Sequence, residues 1–146
     1  LAATQTVRGQ LVKLYWSASS QGQWQRFFAR LTGRTTKLEP LAELKSDAGA
    51  HDQHYAGLKA VAIEQIKGTA EQAPAFDRHF HPIGDRPRQR WLSVAEARMA
   101  GKALPPVQLV QVDEVYYVRD GHHRISVAQA LGEAFIEAEI VRWQMR

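Results

Sequence analysis

Asp120, Gly121, His122, His123 and Arg124 are consecutive, and together they offer a carboxylate, a backbone without Cβ, two imidazoles and a guanidinium. The β-branched and aromatic run Val115-Tyr116-Tyr117-Val118 precedes them, while Ile125, Ala128 and Leu131 recur at helical spacing after them until Gly132. The pentad is therefore expected at a strand-to-helix junction. Backbone N–H groups at a helix start lack intrahelical partners and carry the positive end of the dipole, so they suit an anion. Gly121 would let a ligand approach the backbone, and Arg124 could pair two N–H groups with phosphate oxygens. These features point to phosphate binding and leave the substrate open.

The surrounding pattern must position that junction. Ala60 to Ile66 alternates in part and predicts a first strand ending at Lys67-Gly68. Thr69 to Arg90 reads as a loop, with Pro74, Pro82, Pro87 and Gly84, and its Arg86, Arg88 and Arg90 fit a solvated surface or phosphate contacts. Ser93 with Glu96 has capping-box spacing and predicts a helix through Met99, stopped by Gly101 and Pro105-Pro106. Val107 to Val112 and Val115 to Arg119 form a predicted hairpin around Asp113-Glu114, and Phe135 to Val141 alternates as a last strand. His51 with His54, and His79 with His81, have spacings that could hold a metal, but no carboxylate or thiolate partner accompanies them and no metal is assigned.

The first fifty residues differ from the rest. The net charge is +4, yet residues 51–146 hold twelve Lys/Arg and twelve Asp/Glu, so the whole excess lies before them. No acid occurs before Glu39. Val7, Leu11, Leu14 and Tyr15 predict one helix, the small polar run Trp16 to Gly22 a break, and Trp24, Phe27, Phe28 and Leu31 the apolar stripe of a second. That stripe is expected to pack on the main domain or on a second subunit, making a homodimer. Arg26, Arg30 and Arg34 rise on another face and are nucleic-acid-binding candidates, with an anionic membrane surface as the other polyanion. Leu38 to Leu44 could add a helical turn, and Ser46 to Ala50 reads as a linker. The division is thus a basic helical N-terminal arm, 1–50, and a domain, 51–146.

Composition sets the outer limits. With 146 residues and 45% hydrophobic residues the chain can bury a real core. No apolar run approaches a membrane-crossing length and no secretory signal pattern is present, so a soluble, cytoplasmic protein is expected. With no cysteine, disulfides, thiolate zinc sites and cysteine nucleophiles are excluded.

The order strand, helix, Pro-Pro strand, hairpin, DGHHR, helix, strand resembles the ParB/sulfiredoxin superfamily in its ParB N-terminal-like branch, over roughly Ala60 to Val141. The resemblance implies an α+β fold, a small mixed sheet with helices, here preceded by the helical arm. Its members use the corresponding turn around nucleotide phosphates, Gly-Cys-His-Arg in sulfiredoxins, Gly-Glu-Arg-Arg in ParB proteins, and a DGHHR-like turn in some free-serine kinases. Carried over by motif position, Gly121, His122, His123 and Arg124 are phosphate- or nucleotide-binding candidates, and Asp120 and His122 are catalytic candidates. The implied ligand is ATP, ADP or CTP with Mg²⁺, or another phosphorylated small molecule, with phosphoryl transfer or hydrolysis as the chemistry. Glu64 and Glu71, near the end of the first strand, are candidates for a base. His122 stands where sulfiredoxins place their catalytic cysteine, so sulfinic acid reduction is not expected. The residues after the motif leave no room for the helical DNA-reading domain of partition proteins, so site-specific DNA binding is not expected, and no arginine lies in Thr69 to Ala75, where ParB-like chains often carry one near the nucleotide.

Overall fold

The computed structural model describes residues 2–41, 51–72 and 74–145. Helix α1 spans Ala2–Thr32. Strands β1 (Glu39–Pro40), β2 (His51–Ala62) and β3 (Ile66–Thr69) follow, then α2 (Arg88–Met99), the hairpin β4 (Val107–Val112) and β5 (Val115–Asp120), α3 (His122–Ala130) and β6 (Phe135–Met145). The α+β class expected from the sequence is the one observed. Six strands form one mixed sheet in the order β1-β3-β5-β4-β6-β2. Pairs β1–β3, β3–β5 and β4–β6 are parallel, and β4–β5 and β2–β6 antiparallel.

Burial on both faces explains why β4 reads Val-Gln-Leu-Val-Gln-Val instead of alternating cleanly. Val107 and Leu109 join Ile66, Val118 and Ile140 beneath the helices, against Tyr15, Trp91, Ile125 and Val127. Val110 and Val112 pack with Tyr117, Trp143 and Leu41 on the other face. Valine Val112 pairs with Val115 across the hairpin, and Asp113 accepts φ 53°, the left-handed geometry that this tight turn requires.

Two polar chains then tie the long loop after β3 to the helices. Trp91, fully buried, donates from Nε1 to Ser126 Oγ at 2.9 Å, and the Ser126 hydroxyl donates to the Phe80 carbonyl at 2.6 Å. Tyr15 donates to the Gly84 carbonyl at 2.8 Å. Phe80 holds a left-handed φ of 61° while its ring is buried, a backbone strain that these bonds and the burial offset.

Several sequence expectations are corrected. Residues 16–22 do not break the first helix, because their small side chains are its contact face: Ala18 and Ser19 are buried, and a Cβ on Gly22 would lie 2.6 Å from that of His81. The small polar run is therefore a docking surface for the 77–81 loop. The expected strand over 60–66 is instead the end of β2, a short 3-10 helix at Ile63–Gln65 and the start of β3. Helix α2 begins at Arg88, not at Ser93, whose hydroxyl donates to the Gln89 carbonyl at 3.1 Å inside the helix. The expected linker at 46–50 lies outside the described residues.

Gly121 is the glycine on which the next layer depends. It takes φ 116°, and a Cβ there would stand 2.5 Å from Val107 Cγ1. Val107 thus occupies the space that a side chain at this position would need. Gly121→Ala combines a left-handed backbone with overpacking and should cost about 2–4 kcal/mol. Urea denaturation should show a lowered midpoint, and an unchanged one would contradict this packing.

Candidate functional site

Parallel strands β3 and β5 end side by side, with Thr69 paired to Val118, and the turn to α3 leaves from that edge. Carboxyl ends of parallel strands are where ligands enter open α/β sheets, because the following loops diverge there. Helix α3 starts with no side-chain cap from Gly121, and the Ile125 N–H to Gly121 carbonyl bond, 3.0 Å, closes its first turn. The preceding N–H groups are thus not used by the helix itself.

His122 is buried at this edge. Thr69 Oγ1 lies 2.7 Å from its Nε2 and accepts the Glu71 N–H at 3.0 Å. Having accepted the Glu71 N–H, the Thr69 hydroxyl can still donate its one proton to Nε2, and in that tautomer the neutral ring carries its own proton on Nδ1, which is 3.5 Å from Glu71 Oε1. Burial lowers the His122 pKa, against the charges of Glu71 and Asp120, which raise it. Phe76 covers the ring at 6.3 Å in a stacked arrangement and meets His123 edge-on at 5.1 Å.

Beside it His123 is pushed down to about 4 by burial, then by the charges of Arg90, His122 and Arg86. Both imidazoles are neutral near pH 7. A cleft of about 400 Å³ opens over them, lined also by Arg86, Pro87, Arg90, Phe76 and Glu71. Its chemistry is two guanidiniums, one carboxylate and two uncharged imidazoles at a helix start. The sequence places Arg86 and Arg90 in a loop, where they fit either a solvated surface or phosphate contacts, without linking them to the DGHHR turn. Their i, i+4 spacing across the start of α2 was the available signal, and only the docking of α2 through Trp91 on Ser126 brings that pair to α3.

The remaining candidates lie elsewhere or act differently. Arg124 donates to the carbonyls of Pro105 and Pro106, the latter at 2.9 Å, and to Asp120 Oδ2 at 3.0 Å. Its side chain is 14% exposed and clamps the β4 approach to the turn, so the structure does not bring it into the cleft with His122 and His123. Asp120 is exposed and serves as its ion-pair partner. Glu71 lines the cleft, whereas Glu64 lines a different groove, at the far end of α3. Arg88 stacks over Trp16 at 5.8 Å. Arg26 departs from the expected basic face. It turns inward to pair with buried Asp77 at 2.9 Å, because its helix position faces the 77–81 loop, while Arg30 and Arg34 are exposed. His51 and His54 lie on β2, without the helical spacing considered for them, and His81 is buried against Asp77 while His79 is exposed. Among the described residues no group of three or more His, Cys, Asp and Glu could hold a metal.

The depressed histidine at 123 has a consequence for stability. As pH falls from the ordinary histidine value of about 6.5 towards about 4, the unfolded chain takes up a proton that folded His123 refuses. Stability is therefore lost through that window. His123→Gln should flatten the fall in melting temperature between these pH values, and an unaltered pH slope would place the titration elsewhere.

No protein-family model matches the chain, and no curated protein matches it. Among the described residues no helix is long and apolar enough to cross a membrane. The structure is similar to the crystal structure of sulfiredoxin from Arabidopsis thaliana, with a TM-score of 0.39 and 21% identity over 57% of this chain and 82% of that one. At this level of similarity the match carries no argument about the family or the activity of this chain.

Proposed function

We propose that the cleft over His122 and His123 binds a phosphorylated ligand, with a nucleotide, ATP, ADP or CTP accompanied by Mg²⁺, as the leading class. One observation carries this reading: Arg86 and Arg90 converge with both histidines on a cleft at the uncapped start of α3. Guanidiniums match phosphate oxygens in charge and planar geometry, and the helix start adds donors and a favourable field. A neutral imidazole does not have to lose a proton before it can accept one. Within this reading, His122 is the group that takes the proton of the attacking hydroxyl or water, the Thr69 hydroxyl giving up its bond to the accepting ring nitrogen, and the charges of Glu71 and then Asp120 favour the imidazolium that results. Mg²⁺ would be held chiefly by the ligand's own phosphates. A cytoplasmic place, where nucleotides are at hand, goes with this reading.

Thermal shift with ATP, ADP, CTP, GTP and pyrophosphate, each with and without magnesium, tests the proposal. A raised melting temperature with at least one of them is expected. Failure of all of them to shift it would remove the reading.

A further inference from the structure

We propose that the carboxy-terminal half of α1 docks the protein on an anionic lipid bilayer surface. Trp24, Phe27, Phe28 and Leu31 are 63%, 52%, 57% and 70% exposed. Leu11, Tyr15, Gly22 and Arg26 of the same helix face the domain, and at about 100° per residue the stripe points roughly half a turn away from them. The domain therefore leaves this face open. The rings pack on one another, Trp24 stacked on Phe28 at 6.0 Å and edge-on to Phe27 at 6.3 Å, which makes a single apolar wedge.

Charge identifies the partner. Arg30 in the last turn of α1, and Arg34 and Lys37 just beyond its end, are exposed, and no acid precedes Glu39. A groove of about 940 Å³ that begins under Phe28 adds Lys67 and Arg78 against Glu64 and Glu133, and Glu133 is paired with Arg98. An amphipathic helix with Trp, Phe and Leu on one face and arginines beside them sinks its apolar face to the headgroup boundary and holds anionic headgroups with its cations. A second copy fits less well. Pairing this face with itself would set Arg30 and Arg34 against cations, and the stripe offers on the order of 400 Å², about half of what each partner buries in a stable protein interface. Single-stranded nucleic acid prefers separated aromatic platforms on which successive bases stack, whereas these rings already cover one another.

Flotation of the full chain with phosphatidylcholine vesicles, with and without phosphatidylglycerol, tests the proposal. Binding should require phosphatidylglycerol and weaken with salt. Arg30→Gln with Arg34→Gln should reduce it by about thirtyfold, from the roughly fivefold that one basic residue is worth near such a surface. Trp24→Ser with Phe27→Ser should reduce it by at least as much, and brominated acyl chains should quench the wild-type tryptophan emission but not that of Trp24→Phe. The substituted side chains are exposed, so unchanged circular dichroism and melting should accompany these losses. Absence of binding, equal binding to neutral vesicles, or wild-type binding by the Trp24 and Phe27 variant would overturn the proposal. A dimer that these substitutions dissolve, or single-stranded DNA binding that they abolish, would assign the face to that partner and overturn it equally.

Discussion

Arg86→Ala and Arg90→Ala should each weaken binding of the phosphorylated ligand by about ten- to a hundredfold, because a charge-assisted hydrogen bond is worth roughly 1.5–3 kcal/mol. Both residues line the cleft over His122 and His123, and their charges act on His123 strongly enough to help depress it. Lysine at either position should restore only part of the affinity, since it returns the charge without the planar fork. An anion between these groups would also favour protonated imidazoles. Binding should therefore tighten as pH falls from neutrality towards the low titration point of His123, with proton uptake visible as a buffer-dependent heat in calorimetry. Arg124→Ala serves as the contrast. The guanidinium of Arg124, a phosphate-ligand candidate from the sequence, is held by two carbonyls and Asp120, so its loss should lower stability far more than it lowers affinity. Equal calorimetric affinity in wild type and the Arg86, Arg90 double variant would move the ligand site out of this cleft.

The second large effect is expected at Asp77, where replacement by Asn should destabilise the fold by about 3–5 kcal/mol, the usual cost of breaking a buried ion pair from one side. Its carboxylate is 3% exposed and holds Arg26 at 2.9 Å, His81 Nδ1 at 3.4 Å, and the backbone N–H groups of His79 and His81, both at 3.0 Å. Burial by itself would raise the Asp77 pKa, but the hydrogen bonds and charge of His81 and these N–H groups outweigh it and hold the carboxyl below its ordinary range. A depressed carboxyl contributes stability above its unfolded value near 3.8 and loses it as pH falls through the folded one. Acid unfolding of the wild type should thus include this group, and Asp77→Asn should lack that step. The loop between these bonds and β3 carries Ala75 and Phe76 of the cleft, so the variant should also bind ligand more weakly. A double-mutant cycle with Arg26→Met measures the coupling, and additive losses would show that the pair acts through something other than its contact.

Local chemistry was sufficient where adjacent residues decide the structure. Val115 to Arg124 contains its own strand, its own Gly turn and its own helix start, so the junction and the candidate histidines were legible in the chain. The hairpin at Asp113 was legible for the same reason: two β-branched runs separated by two polar residues leave little choice of connection. Trp16 to Gly22 misled, since small polar residues are the same signal whether they break a helix or let a loop approach it. In α1 the second reason holds, and it becomes visible only once His81 stands against Gly22.

By itself, then, the sequence determined that a strand meets a helix at Gly121, that two histidines start that helix, and that the basic excess precedes Glu39. Tertiary structure alone decided which cations line the cleft. An arginine's long side chain can reach several partners, and the nearest strong acceptor wins: the Pro105 and Pro106 carbonyls took Arg124, and buried Asp77 took Arg26. Arg86 and Arg90 reach His123 from more than thirty positions away in the chain, because the Trp91 indole, buried and needing an acceptor, docks α2 on Ser126 of α3.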